Sequence, residues 1–426
     1  MKIVEVLCAP GLGAYYYDDQ AAIRAGASRD GFLYAGSPRT EGYTRVRQPA
    51  ECLSIGLRLE DGTVVWGDAL TVQYSGAAGR EPLFVPTAAA EVVRRRIAPQ
   101  LVGRALDSFV GLADEVLDRA APEAVPRSIE YGVSQALLRG VASARRCTMA
   151  EVVVDEFGIE LVPEAVPLFA QSGDDRRDAV DKMLLKRVPV LPHGLINAPS
   201  KFGRHGDTFV EYVRWIAGRA GAFGVAEDAL TIHIDLYGMG TVEFGDDEDA
   251  LVACLRRAES AARPFRLQIE TPVDAGSTNA QCATLRRLRD RLESLGSRVR
   301  LVADEWCNTL DEIERFARER AGHMIQIKMP DVGRIQDSVR AVLACRRHGM
   351  AAYLGGSCAE TELSAAVAVH IAVATQADML LAKPAMDVDA ALTIVGNEQS
   401  RLLVDLAGRR NRVPAVTRVG LGASGT

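Results

Sequence analysis

From Glu164 onward the chain alternates short apolar runs with amphipathic stretches, and that rhythm limits the fold more than any other feature. The apolar runs lie near 165–170, 188–192, 231–237, 266–271, 299–305, 323–328, 351–355 and 379–383. Between them, 208–220, 247–262, 280–295, 333–348 and 360–376 repeat apolar residues at helical spacing. Eight strand candidates at βα spacing in roughly 230 residues approach the ~250 of a (β/α)8 barrel. A doubly wound open sheet shares the alternation, since strand count does not prove closure. The barrel is the expectation.

The first 160 residues follow a different grammar. Cys52 to Leu59 and Thr63 to Trp66 alternate in strand fashion around Asp61-Gly62, a hairpin signal. Helical patterns follow near 85–98, 105–120 and 128–146, where Val133, Ala136, Leu137 and Val141 share a face. The expected α/β architecture is therefore a TIM-type barrel over 161–426, carrying the chemistry, with an α+β capping domain over 1–160.

Strand alternation sorts the barrel residues by face. Ile232, Ile234 and Leu236 point one way, His233 and Asp235 the other. Gln268 and Glu270 oppose Leu267 and Ile269, and Gln326 and Lys328 oppose Ile325 and Ile327. Leu301 to Asp304 ends on a carboxylate in the same phase. Helices need the apolar faces, so these polar residues point to the barrel axis, near the C-terminal mouth where such barrels place their active sites.

Asp235 and Glu270 are 35 residues apart, and Glu270 and Asp304 are 34 apart, one βα repeat each. Three converging carboxylates repel one another unless a cation neutralises them, and carboxylate oxygens suit a hard ion such as Mg²⁺. An ion so held leaves room for a substrate carboxylate and acidifies the adjacent C–H. Lys328 is placed as the base, if its pKa is lowered by the nearby cation. Gln326 can donate to the developing oxyanion. Proton abstraction α to a carboxylate follows, leading to elimination, racemisation or isomerisation.

Composition narrows the alternatives. With 50 basic and 56 acidic residues the net charge is −6, which argues against a nucleic-acid partner. No apolar run reaches the ~20 residues of a membrane span, and Pro10 and Gly11 interrupt the N-terminus too early for a signal peptide. A cytoplasmic protein without membrane partners is expected. The eight cysteines form no close pair, so reduced, mostly buried thiols are expected. Gly420, Gly422 and Gly425 match a dinucleotide fingerprint, but no helix can follow Gly425, so they read as a flexible tail.

Longer runs add a resemblance. FAQSGDD (169–175), LPHGLIN (191–197), HIDLYG (233–238), VADEWCNT (302–309), QIKMPD (326–331) and GGSCAETE (355–362) resemble the methylaspartate ammonia-lyase family of the enolase superfamily. YYYDDQ (15–20), VRQPAEC (46–52) and VQYSGAAGR (72–80) extend the likeness through the first domain. The resemblance implies conversion of threo-3-methylaspartate to mesaconate and ammonia, with Mg²⁺ and a stimulating K⁺. It implies Asp235, Glu270 and Asp304 as metal ligands and Lys328 as base for the 2S,3S substrate. It makes His193 the opposing base for the other diastereomer. Gln73, Gln171, Gln326, Ser357 and Cys358 match pocket positions, and a homodimer is implied.

Two departures bear on substrate breadth. Ser357 stands where the family pattern has threonine, which removes a methyl and loosens the pocket. Lys383-Pro384-Ala385-Met386-Asp387 replaces KPGMG, adding a carboxylate expected near the last strand's mouth. Superfamily members with a Lys-x-Lys pair on the second barrel strand fit poorly, because that region reads Val190-Leu191-Pro192-His193. A racemase or dehydratase acting on a related amino or hydroxy diacid is the alternative reaction, and a non-catalytic binding protein the alternative class.

Overall fold

The computed structural model describes residues 1–119, 125–384 and 387–410. Gly420, Gly422 and Gly425, and also Ala385 and Met386, lie outside the described residues. Among the described residues, thirteen strands are numbered in chain order. Ile3–Asp18 (β1), Ser28–Asp30 (β2), Leu33–Ala35 (β3), Arg47–Leu59 (β4) and Val64–Ala69 (β5) precede the barrel. The barrel strands are Leu168–Phe169 (β6), Val190–Leu195 (β7), Thr231–Asp235 (β8), Arg266–Glu270 (β9), Arg300–Ala303 (β10), Met324–Ile327 (β11), Ala351–Leu354 (β12) and Met379–Leu381 (β13).

The eight barrel strands are parallel and closed. Closure rests on the last seam, where β13 pairs β6 through Leu380↔Leu168 and Leu381↔Phe169. An open sheet is thereby excluded. Helices cover the outside. Asp207–Ala222, for example, buries Phe209, Val213, Ile216 and Ala220. Inside, Phe169, Val190, Val302, Met324, Ala351, Tyr353, Met379 and Leu381 form a separate apolar plug. Branched and aromatic side chains fill a barrel of this width, so it is a packed core and not a pore.

The N-terminal domain is strand-rich. β4 and β5 form the expected hairpin, with Gly62 at φ 87° and Leu59 N–H donating to Thr63 O at 2.8 Å. β1 joins the other side of β4 in the order β1-β4-β5. Sequence patterning misses β1, because this edge strand is largely exposed and shows no apolar alternation. Helix Arg127–Arg145 lies close against the sheet: a Cβ on Gly132 would meet Ala69 N at 2.7 Å. Only glycine allows that approach.

Contacts from this domain reach the barrel mouth. Ala14 N–H donates to Ala359 O at 3.2 Å, and the Tyr131 hydroxyl to Glu360 Oε1 at 2.6 Å. Thr361 caps helix Glu362–Thr375 and also donates to Asp68. The loop 355–361 is thus held between the two domains.

Candidate active site

Register brings the site together. Asp235 is the partner of Glu270 across β8 and β9, and Glu270 of Val302 across β9 and β10. His233 is likewise level with Gln268. The alternation read from sequence therefore holds, and the polar faces point inward. Glu270 is fully buried. It accepts Gln326 Nε2 on Oε1 at 2.6 Å and the Tyr353 hydroxyl on Oε2 at 2.7 Å, and His233 Nε2 lies 2.7 Å from Oε2. Burial opposes its charge, but hydrogen bonds and charge from His193 and His233 outweigh that and hold the carboxyl well below its usual range. Gln326, expected to serve an oxyanion, here spends an N–H on Glu270 while still lining the cleft.

Asp235 behaves in the opposite way. Burial, followed by the charges of Glu270, Glu305 and Asp304, pushes its carboxyl well up. His193 Nε2 lies 3.6 Å from Asp235 Oδ2 and 3.8 Å from Glu270 Oε1. One ligand atom from each of these three residues falls within 4.8 Å of the others, a spacing that one ion spans. Asp304 lies outside this group of three. Its carboxylate is claimed by Lys328 Nζ at 2.7 Å and by Arg80 Nη2 at 3.4 Å.

Lys328 sits among opposing charges. Burial and Arg80 depress its pKa, while Asp304, Glu305 and Asp331 raise it, and the carboxylates win, so the shift is upward. The sequence argument counted a cation but not two extra acids. Arg80 is the principal site residue that sequence reasoning missed. It enters from the N-terminal domain and is buried. It donates Nε to Asp331 at 2.8 Å, lies 3.6 Å from Glu305, and has no partner on Nη1. Its signal was its place at the end of the VQYSGAAGR run.

The predicted catalytic, substrate-binding and metal residues line one polar cleft, except Glu270, which is buried and bonded to Gln326 of the lining. Gln171 comes from the loop after β6, and His193 from β7 at φ 64°. Ser357 Oγ accepts from Gln73 N–H at 3.0 Å and from Ala359 N–H at 3.1 Å. The Cys358 thiol donates to Gln73 Oε1 at 3.0 Å, and burial pushes that thiol's pKa up. Asp387 does not face the cleft. It is exposed, and its Oδ1 accepts from Asp389 and Ala390 N–H at the start of the last helix, so helix capping uses it instead.

Strain gathers around the same mouth. His193, Tyr237, Thr271 and Trp306 have φ of 64°, 49°, 43° and 63°; His193 lies within β7, and the others follow the ends of β8, β9 and β10. Non-glycine residues hold that conformation only where their surroundings impose it, at about 1–3 kcal/mol each.

A closed (β/α)8 barrel with a strand-rich N-terminal domain, and with carboxylates, a lysine and a histidine at its mouth, defines an enzyme of the enolase superfamily. Residues 1–158 match the family model for the methylaspartate ammonia-lyase N-terminus, and 160–407 that for its C-terminus. Methylaspartate ammonia-lyase of Clostridium tetanomorphum is 46% identical over 414 residues, 96% of this chain and 100% of its own. The β-methylaspartase of Clostridium tetanomorphum, solved as a Mg complex, superposes with a TM-score of 0.89 at 46% identity, covering 96% of this chain and 100% of that one. The Citrobacter amalonaticus enzyme, solved with (2S,3S)-3-methylaspartic acid, gives a TM-score of 0.92 at 45% identity over 96% of this chain and 100% of its own. The chain belongs to the methylaspartate ammonia-lyase family and is a carbon–nitrogen lyase.

Proposed function

We propose that the chain eliminates ammonia from threo-3-methylaspartate to give mesaconate, using Mg²⁺. The observation that carries this reading is the meeting of Lys328, His193 and the acids Asp235 and Asp304 in one cleft, with Glu270 bonded to Gln326 of its lining. The site fits a hard divalent cation: Asp235 is driven toward its neutral form by burial and then by adjacent acids, whose charge a cation would neutralise. Asp235, Glu270 and Asp304 would hold it. When bound, the ion supplies positive charge that offsets charge developing on the substrate carboxylate.

The side chains do the rest. Lys328 takes the C3 proton of the 2S,3S substrate, the C–H electron pair becomes the C2–C3 double bond, and the C2–N pair leaves with ammonia. His193 performs the same abstraction on the other diastereomer. Gln73, Gln171, Ser357 and Cys358 bind the diacid. An activating K⁺, a homodimeric assembly, a cytoplasmic location and a role in amino-acid metabolism belong to the same reading, as does the division into a capping domain, 1–160, and a catalytic barrel, 161–426.

The test is direct. The protein is incubated with 3-methylaspartate and Mg²⁺, and the absorbance of the conjugated product is followed. Failure to form product from either diastereomer rejects the reading. Deuterium wash-in without elimination would replace it with racemisation.

A further inference from the structure

The carboxamide of Gln73 is held at both ends. Its Nε2 donates to Asp18 Oδ2 at 2.8 Å, and its Oε1 accepts from Cys358 Sγ at 3.0 Å. A carboxamide turned by 180° keeps its shape, so only the chemistry of its partners decides which end faces where. Asp18 decides it here. Its oxygens accept Arg47 Nε and Nη2, each at 2.7 Å, in a two-pronged ion pair. A carboxylate held this way only accepts, so the end of Gln73 that meets it is the N–H.

The pair itself has no room to swing. Asp18 and Arg47 are 1% and 4% exposed. The Arg47 guanidinium stands 5.6, 4.6 and 5.0 Å from the rings of Tyr15, Phe32 and Tyr34, and its Nη1 donates to Phe32 O at 3.0 Å. The Gln73 backbone is pinned as well, donating to Ser357 Oγ and accepting from Asp18 N–H, each at 3.0 Å. Oε1 is therefore left facing Cys358, whose buried thiol keeps its proton and donates. Gln73 and Cys358 line the cleft and Asp18 does not. The cleft side of the amide is its carbonyl oxygen, with one lone pair to spare.

We propose that Asp18, locked by Arg47, is a positioning residue that fixes the polarity of Gln73, so that its carbonyl oxygen offers an acceptor to the ammonium group of an amino diacid. The inference rests on the substrate class proposed above. It implies a selectivity: a diacid carrying an ammonium gains from the device, and one lacking it does not.

Asp18→Asn keeps the shape but lets position 18 donate as well as accept, so Gln73 can turn over. The KM for 3-methylaspartate is expected to rise about tenfold or more, the loss of one hydrogen bond to a charged group. Inhibition by mesaconate, which has no ammonium, should change less than about twofold. In a Gln73→Ala background the same substitution should add nothing, because no amide remains to orient. Equal losses for both ligands, or an added loss in that background, would overturn the proposal. Where Asp18→Asn strands Arg47 and lowers the melting temperature, Asp18→Asn/Arg47→Met removes the unpaired cation; a normal KM in that folded variant also overturns it. A wild type that binds the amino diacid calorimetrically without turnover rejects only the reaction, and the same comparison is then read in binding. A wild type that binds neither diacid rejects both.

Discussion

Lys328 Nζ lies 2.7 Å from Asp304 Oδ2, a carboxylate that Arg80 of the N-terminal domain also reaches at 3.4 Å. A base that touches one acid and neighbours two more is poised by charge balance. Lys328→Ala should lower elimination from the 2S,3S substrate by about 10²–10⁴-fold, the usual worth of a positioned base. Mg²⁺ affinity by calorimetry should hold, since no carboxylate is lost. Undiminished turnover in the variant would remove Lys328 from the role of base.

Arg80 carries a second expectation. It is the buried cation common to Asp304, Glu305 and Asp331. Arg80→Met removes one of the two cations, Arg80 and Lys328, that face these three acids and should cost about 3–5 kcal/mol, as when one partner of a buried ion pair is removed. Denaturant unfolding measures it. Added Mg²⁺ should recover more stability in the variant than in the wild type, because the ion takes over part of the neutralisation. A variant as stable as the wild type, with or without Mg²⁺, would contradict the role.

These two residues also mark what the sequence made legible. Asp235 and Glu270 could be read because alternation within β8 and β9 fixes the facing of each side chain, and the repeat fixes their level. Asp304 was legible in place but not in partner, since β10 ends at Ala303 and period-two reasoning stops with the strand. For the same reason Glu305, which alternation would send outward, also turns toward Arg80 and Thr271, accepting from Thr271 Oγ1 at 2.5 Å. Arg80 itself was illegible as a partner: it meets Asp304 across 224 residues of chain, and no local pattern encodes a contact between domains. Asp387 failed differently. A carboxylate directly before a helix is as useful to the backbone as to a site, and the backbone uses it.

Ser357 bears on substrate breadth. Its hydroxyl is tied to Gln73 and Ala359, so Ser357→Thr should keep both hydrogen bonds and add a methyl to the cleft wall. The ratio of kcat/KM for 3-ethyl- over 3-methylaspartate should fall by about tenfold, in line with the worth of one carbon in a tight pocket. An unchanged ratio would mean that the missing methyl does not set the 3-substituent limit.

His323 ties acid stability to the opposite end of the barrel, at the start of β11. Its Nδ1 accepts from Leu301 N–H at 2.9 Å, and burial, with Arg289 and Arg300 nearby, lowers its pKa from 6.5 to about 4 against the pull of Glu293. Between those values the unfolded chain takes up a proton that the folded chain refuses, so stability rises with pH through this window. It is fully present above about pH 6.5 and lost as pH falls toward 4. The contribution is at most about 3 kcal/mol. His323→Asn retains an acceptor for Leu301 but does not titrate. Urea unfolding of both proteins from pH 4 to about 7.5 should show a flatter profile for the variant. Parallel profiles would place the acid sensitivity elsewhere.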